Sequence, residues 1–111
     1  MAYTGRFSTP EPAREQIDAL PGITAVEFGT AWCPHCIAAQ SPLQQALDAR
    51  SDITHVKVED GRGRPLGRSF RVKLWPTVVL MRDGMEVARM IRPRSAEDIQ
   101  RALVLLDDAA A

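Results

Sequence analysis

Short apolar runs separated by turn residues divide the chain into predicted strands. Three of them, Ile23 to Phe28, Ile53 to Val58 and Thr77 to Met81, are rich in apolar and β-branched residues, which favours strands. Arg82-Asp83-Gly84 follows the third run and has the composition of a tight turn. Glu86 to Ile91 is therefore predicted to return as the hairpin partner of that strand.

Polar and apolar residues alternate with helical period before and between these strands. Ser8 and Glu11 are spaced as a capping box, which predicts a first helix reaching to about Leu20. A second helix is predicted from Cys33 to about Arg50, with Pro42 expected to kink it. Its core stripe is predicted to consist of apolar residues at helical spacing, namely Ile37, Leu43, Ala46 and Leu47.

The second half of the chain adds two more helices. Asp60 to Pro65 is a predicted loop, and Leu66 to Phe70 is a predicted short helix. Ser95 and Asp98 are spaced to cap a last helix. The buried face of that helix is predicted to carry Ile99, Ala102, Leu103 and Leu106. The order of elements predicts an α/β fold, a central mixed β-sheet of four to five strands flanked by helices on both faces.

Length and charge restrict the class of protein. The 111 residues, 45% of them hydrophobic, suit a single domain spanning residues 1–111, expected to be a monomer. Fourteen basic and fourteen acidic residues cancel, which gives no reason to expect binding to nucleic acid or to an anionic membrane.

No apolar run approaches the ~20 residues of a membrane span. Met1 to Pro12 lacks the apolar core of a secretory signal. A cytoplasmic location is expected, or a periplasmic one only if an export signal was removed.

The two cysteines are the strongest candidates for chemistry. Cys33 is predicted to begin a helix, where free N–H groups and the helix dipole favour a thiolate, so it is the expected nucleophile. Cys36 lies one turn later and is placed to close a disulfide with it. Between them stand Pro34 and His35, and the imidazole is expected to stabilise the thiolate. Two other interpretations stay open: inert cysteines, or a metal site, which needs about four ligands although the only histidines are His35 and His55.

Several separate segments carry a family resemblance. They are Ala25-Val26-Glu27-Phe28, the stretch from Ala31 to Cys36, Val56-Lys57-Val58, Trp75-Pro76-Thr77 and Asp83-Gly84. These segments and their spacing resemble the thioredoxin family over nearly the whole chain, from about Ala13 to Leu106. The resemblance implies a thioredoxin fold that needs neither a metal nor an organic cofactor.

The resemblance also implies roles for residues near the cysteines. Cys33 is expected to attack substrate disulfides, and the bond between Trp75 and Pro76 is expected to be cis, which is checkable because such bonds are uncommon. The expected substrate-binding residues are Trp32, Trp75, Pro76, Thr77 and Arg92. Protein disulfides are the implied substrates, and a thioredoxin reductase is a possible electron donor.

A buried acid is expected beneath the pair. Glu27 stands in an apolar strand six residues before Cys33, where the family carries a buried aspartate. Desolvation would raise its pKa and let it exchange a proton with Cys36, with Lys57 as the partner lysine. A half-exposed salt bridge between Glu27 and Lys57 is the alternative.

The sequence departs from the family around the groove. Pro34-His35 resembles DsbA, the periplasmic oxidase, although size and segment order resemble a thioredoxin. Gly29 replaces a common aromatic, Trp75 is bulkier than the usual residue before the proline, and Arg92-Pro93 replaces a glycine. Residues 61 to 75 hold five basic residues and no acid, and Arg92 and Arg94 are expected near the active edge. A basic rim that recruits an acidic protein is one hypothesis, and a solvated charged face is the other.

The sequence is compatible with three functions. The first is a thiol-disulfide oxidoreductase that reduces or exchanges protein disulfides through Cys33 and Cys36. The second is a redox-inert adaptor with the same fold, motivated by Trp75 and Arg92. The third is a redox sensor or chaperone-like binding module that changes structure on oxidation.

Overall fold

A mixed β-sheet forms the centre of the computed structural model, which describes residues 2–108. In chain order the elements are α1 (Arg14–Asp18), β1 (Ile23–Gly29), α2 (Pro34–Asp48), β2 (Ile53–Glu59), α3 (Pro65–Ser69), β3 (Thr77–Arg82), β4 (Met85–Ile91) and α4 (Ala96–Asp108). The strand order is β2-β1-β3-β4, with β1 parallel to β2 and the other two pairs antiparallel. Four strands of mixed direction with flanking helices confirm the predicted fold class.

Every residue of β1 is buried because both faces of the sheet are covered. Successive side chains of a strand point to opposite faces. Ile23 and Ala25 pack with α2 and α4, whereas Val26 and Phe28 pack with α1 and α3. By the same alternation Glu27 shares the face of Ala25 and points toward α2. The strand therefore carries one carboxylate into an otherwise apolar layer.

The predicted cap of the last helix is confirmed. The hydroxyl of Ser95 accepts a hydrogen bond from the backbone N–H of Asp98 at 3.1 Å, and Ile99, Leu103 and Leu106 are buried. Ala102 packs partly buried against the same cluster. Between residues 2 and 108 no helix combines the length and the apolar character that crossing a bilayer requires.

The first helix is shorter than predicted, and the capping box of Ser8 and Glu11 is wrong. The backbone N–H of Ser8 donates to the carbonyl of Lys57, so this segment lies along β2. The carboxylate of Glu11 instead accepts from the backbone N–H of Leu66 at 2.8 Å, in the first turn of α3. The helix begins only at Arg14. Both groups have partners more than forty residues away in sequence, which local spacing does not reveal.

Ile37 was predicted in the core stripe of the second helix, and this is wrong because its side chain is 59% exposed. The buried stripe consists of Cys36, Ala39, Leu43, Ala46 and Leu47. Ile37 follows Cys36 directly and is therefore rotated by about 100° around the helix axis from that stripe. Pro42 lies inside α2 without interrupting it.

The turn between β3 and β4 is fixed against the loop before β1. Asp83 and Gly84 both have positive φ, 49° and 84°, as a two-residue hairpin turn requires. Asp83 exchanges two hydrogen bonds with Gly22. A Cβ added at Gly84 would lie 2.1 Å from the carbonyl oxygen of Asp18 at the end of α1. Gly84 therefore meets both a conformational and a steric requirement.

We expect Gly84→Ala to lower the free energy of unfolding by more than Gly63→Ala does. Gly63 has a similar φ of 77° but nothing within 4 Å of an added Cβ, so it isolates the conformational cost, about 1 kcal/mol. Urea unfolding of both variants measures the difference. Equal losses would show that the contact with Asp18 carries no free energy.

Candidate active site

The two cysteines lie where β1 gives way to α2. Cys33 is the N-cap of α2, Pro34 occupies the first helical position, and Cys36 follows in the first turn. A proline at that position loses nothing, because its N–H would have no partner inside the helix. Both thiols are unpaired, and the residues are 6% and 3% exposed.

Gly29 allows the sulfur of Cys36 to sit against the end of β1. A Cβ added at Gly29 would lie 2.5 Å from the Sγ atom of Cys36 and 3.9 Å from the Cβ atom of Pro76. The end of the strand, the second cysteine and the proline loop therefore meet at one point. Glycine at position 29 is consistent with this close packing.

The pKa of the Cys33 thiol is lowered. Burial opposes its ionisation, but the backbone N–H groups of Cys36 and His35 and the neighbouring Cys36 thiol outweigh that effect. The positive charge of Arg92 lowers the pKa further. The thiolate is thus favoured by the start of a helix together with a cation from another element.

The Cys36 thiol has the opposite tendency. Burial raises its pKa to about 11, against a weaker lowering by the backbone N–H of Thr30. The negative charges of Cys33 and Glu27 add to the increase. Near neutral pH Cys36 is therefore a protonated thiol beside a more readily ionised Cys33, the asymmetry that a nucleophile and a resolving residue require.

A buried polar network surrounds Glu27, which is 1% exposed. Its Oε2 atom accepts hydrogen bonds from the Nζ atom of Lys57 at 2.9 Å and from the Nε2 atom of Gln40 at 2.8 Å. Its Oε1 atom lies 2.9 Å from the Nε2 atom of His55. Gln40 also donates to the carbonyl of Cys36 at 2.9 Å, which connects the network to the second cysteine.

The proton position on His55 follows from its other nitrogen. The backbone N–H of Thr4 donates to the Nδ1 atom at 2.9 Å, so Nδ1 carries no proton in this arrangement. The Nε2 atom is then the protonated nitrogen and donates to Glu27. His55 is a neutral donor and Lys57 is the cation that balances the carboxylate.

The pKa of Glu27 is lowered, and the expected increase is wrong. Burial alone would raise it, but the hydrogen bond from His55, the charge of Lys57 and the hydrogen bonds from Gln40 and Lys57 outweigh burial. The half-exposed salt bridge is also excluded, because the side chains of Glu27 and Lys57 are 2% and 7% exposed. Glu27 is therefore an anion at neutral pH.

The segment from residues 2 to 12 covers this network. The hydroxyl of Tyr3 donates to the Oε1 atom of Gln40 at 2.7 Å, and the ring of Phe7 lies 5.1 Å from the Nζ atom of Lys57. A small space of about 170 Å³ remains between the segment and Cys36. It is large enough for several water molecules.

The Trp75-Pro76 bond is cis, as the resemblance implied. The carbonyl oxygen of Trp75 accepts a hydrogen bond from the Nε atom of Arg92 at 2.9 Å, and that of Pro76 accepts one from the backbone N–H of Arg92. Thr77 is 1% exposed and its hydroxyl donates to the carbonyl of Leu74, so its side chain supports the loop and does not face a substrate.

Two tryptophans border the cysteines. Trp32 is 71% exposed, and its ring meets that of Trp75 edge to face with centroids 5.8 Å apart. The Nε1 atom of Trp75 donates to the carboxylate of Asp60 at 2.8 Å. A Cβ on Gly67 would collide with that carboxylate. The indole of Trp75 is thus held by the loop after β2, beside an exposed aromatic surface.

Comparison with known proteins agrees with this geometry. The thioredoxin family profile matches residues 9–104. The chain belongs to the thioredoxin family. Thioredoxin 2 from Pseudomonas aeruginosa, solved in its reduced form, is 51% identical, with a TM-score of 0.83 over 96% of this chain and 99% of that one.

More distant relatives match only in part. Thioredoxin H2-1 from Oryza sativa is 28% identical over 62% of this chain and 50% of its own length. Thioredoxin from Mycobacterium tuberculosis is 28% identical over 70% of this chain and 68% of its own length. The chain thus spans about half the length of the rice relative.

Sequence reasoning on this thioredoxin-family chain missed Gln40, Tyr3 and Asp60 as members of the site and considered His55 only as a possible metal ligand. A signal existed for His55, because it lies two residues before Lys57 in the same strand and so points to the same face. The other three act through tertiary contacts that no local pattern marks. Within residues 2–108 no cluster of three or more metal-ligating side chains is present.

The asymmetry between the cysteines predicts selective alkylation of the reduced protein. We expect iodoacetamide at neutral pH to modify Cys33 and to leave Cys36 unmodified, since a pKa of about 11 leaves roughly one thiol in ten thousand ionised at pH 7. Peptide mapping by mass spectrometry measures both sites. Equal modification of the two residues would contradict the assignment.

Glu27→Gln is expected to lower the free energy of unfolding at neutral pH by about 2 to 4 kcal/mol, because it leaves a buried Lys57 without its counter-ion. Since the folded-state pKa of Glu27 lies below its ordinary 4.5, wild type keeps this advantage above pH 4.5 and loses it as the pH falls through the folded-state value.

Urea unfolding across this pH range tests the prediction. Glu59→Gln is the matched control, since Glu59 forms only a half-exposed pair with Arg64 and should change stability by less than about 1 kcal/mol. A difference between wild type and Glu27→Gln that grows below pH 4.5 would disprove a lowered pKa.

Proposed function

We propose that this chain is a thiol-disulfide oxidoreductase that reduces or exchanges protein disulfides through Cys33 and Cys36. The observation that carries the proposal is the opposite direction of the two thiol pKa values within one helical turn. A redox-inert adaptor has no use for that asymmetry. The similarity to the thioredoxins of known structure supports the same conclusion.

The proposed reaction has two exchange steps. The Cys33 thiolate attacks one sulfur of the substrate disulfide, the substrate S–S bond breaks, and its other sulfur leaves as a thiolate. Cys36 then loses its proton and attacks the Cys33 sulfur. The Cys33-Cys36 disulfide forms and the second substrate sulfur leaves. Two electrons pass from the cysteine pair to the substrate, and the reverse sequence oxidises a dithiol.

Proton removal from Cys36 is the demanding part of the second step, because its pKa is about 11. We propose that Glu27 participates, since it is ionised and Gln40 connects it to the backbone of Cys36. Its lowered pKa makes it a weak base. The space beside Cys36 gives water room to carry the proton. Lys57 holds the carboxylate in place.

Binding of a protein substrate is proposed at the surface around Trp32, Trp75 and Pro76. Trp32 is largely exposed, and its contact with Trp75 extends the apolar area beside the sulfur. Arg92 supports this surface through the two carbonyls of the proline loop. His35 and Pro34 lie beside Cys33 in the first turn of α2 and complete the proposed surface.

Recycling of the cysteine pair requires an electron partner. For the reducing direction we propose a thioredoxin reductase and a cytoplasmic location, where thiols are kept reduced. The reduction potential of the pair decides the direction. A reduction potential of about −270 mV is typical of a reductase, and one above about −200 mV is typical of an oxidant or isomerase.

Variants of the two cysteines test the activity. With insulin as substrate and dithiothreitol as reductant, we expect wild type to accelerate disulfide reduction and Cys33→Ser to abolish the acceleration. After reduction and removal of dithiothreitol, Cys36→Ser should accumulate a mixed disulfide with insulin, visible by mass spectrometry, because no resolving thiol is present. Activity that survives in the variant lacking both cysteines would refute the proposal.

A further inference from the structure

A groove with positive charge lies beside the first turn of α2. It encloses about 520 Å³ between that turn and the segment after β4. We call it the cationic groove, and its walls include His35, Leu74, Ile91, Arg92, Pro93 and Arg94. No acidic side chain lines it among the residues that the structure describes. The groove therefore combines uncompensated charge with closeness to the cysteines.

Arg92 is held in a fixed orientation at the edge of the groove. Its Nε atom donates to the carbonyl of Trp75 at 2.9 Å, and its backbone N–H donates to the carbonyl of Pro76. Its φ of 52° is unusual for a residue with a side chain. Between residues 2 and 108 no carboxylate pairs with the guanidinium of Arg92. Its two terminal nitrogens therefore remain available as a planar fork.

Arg94 adds a second cation to the same groove. Within the described ranges its side chain forms no ion pair. The neighbouring carboxylate of Asp98 accepts instead from the backbone N–H of Arg94 at 3.1 Å and from the side chain of Arg101 at 2.6 Å. Asp98 is thus already paired. The guanidinium groups of Arg92 and Arg94 therefore have no carboxylate partner within residues 2–108.

The remaining walls of the groove are apolar. Leu74 and Ile91 are 46% and 54% exposed and offer contact area to an extended peptide. A carboxylate on such a peptide would meet a rigid donor pair in surroundings less hydrated than open surface, where charged hydrogen bonds are stronger. The chemistry of the walls fits an apolar segment that carries an acidic side chain.

We propose that the cationic groove binds a Glu or Asp side chain next to the disulfide of a protein substrate, and that Arg92 selects it. The inference rests on the proposed oxidoreductase function and specifies its substrate class. A protein segment fits better than a small carboxylate such as oxidised glutathione, because the exposed Leu74 and Ile91 would gain contacts only from a longer apolar ligand.

Two disulfide peptides that differ only in Glu or Gln at a position near the disulfide test this inference. We expect the reduced wild-type protein to reduce the Glu peptide with a kcat/KM about threefold to tenfold higher at low salt, the difference residing in KM. The preference should shrink as salt is added. Equal rates for the two peptides would overturn the inference.

Arg92→Gly should abolish the preference. Glycine adopts a φ of 52° without strain, so this variant is expected to fold. Losing the cation will also slow the reduction of both peptides, because the Cys33 thiol becomes less acidic. The ratio of kcat/KM for the Glu peptide to kcat/KM for the Gln peptide, measured on one variant, cancels that effect. Arg92→Lys should restore only part of the preference, since it keeps the charge and lacks the planar fork.

Arg68→Gln is the matched control for net charge. Arg68 lies in α3, outside the cationic groove, and the substitution removes one positive charge. It should retain the full preference for the Glu peptide. An equal loss in Arg68→Gln and Arg92→Gly would mean general steering by a basic rim and would refute a specific site.

A binding measurement separates this inference from the proposed activity. Calorimetry of both peptides with the Cys33→Ser, Cys36→Ser variant should show tighter binding of the Glu peptide. If wild type reduces neither peptide while this preference persists, the activity fails and the groove assignment stands. If oxidised glutathione binds more tightly than both peptides, the assignment to a protein segment is wrong.

Discussion

The buried carboxylate of Glu27 is the interaction on which the arrangement around the cysteines depends. A charge removed from water is tolerated only when it is paired and hydrogen-bonded. Glu27 obtains its donors from β2, through His55 and Lys57, and from α2, through Gln40. The segment from residues 2 to 12 in turn binds His55 and Gln40. One charge thus ties four parts of the chain together directly beneath Cys36.

The two thiols differ in pKa because hydrogen bonds outweigh burial at Cys33, whereas burial outweighs them at Cys36. Nearby charges of opposite sign add to that difference. Arg92 reaches Cys33 from the segment after β4 and lowers the pKa of its thiol, while Glu27 reaches Cys36 from β1 and raises that pKa. Both cysteines lie at the start of the same helix, so the helix dipole alone would not make the pKa values of their thiols differ this much. The division of roles is therefore a product of tertiary structure.

The strands and the start of the last helix depend on short-range sequence patterns, and these were predicted from the sequence. Apolar runs placed all four strands within a residue of their bounds, and Ser95 marked the start of the last helix. Apart from Ile37, whose helical phase was wrong, the failures concern groups whose partners are far away in sequence. Glu11 binds the first turn of α3 instead of beginning a helix of its own, and the pKa of Glu27 falls because His55 and Lys57 reach it from the neighbouring parallel strand β2. The Cys33-Cys36 site was predictable, whereas its electrostatic surroundings required the register of the sheet.

Gly29 shows how one departure from the family pattern fits the rest of the site. Any side chain there would place its Cβ atom 2.5 Å from the sulfur of Cys36 as it now lies. A residue larger than glycine would thus require the side chain of Cys36 or the backbone at position 29 to shift. In its present position that sulfur is buried, and burial is the largest cause of the raised pKa of Cys36. Gly29 therefore leaves room for the sulfur of Cys36 in the buried position at which the pKa of the thiol is raised.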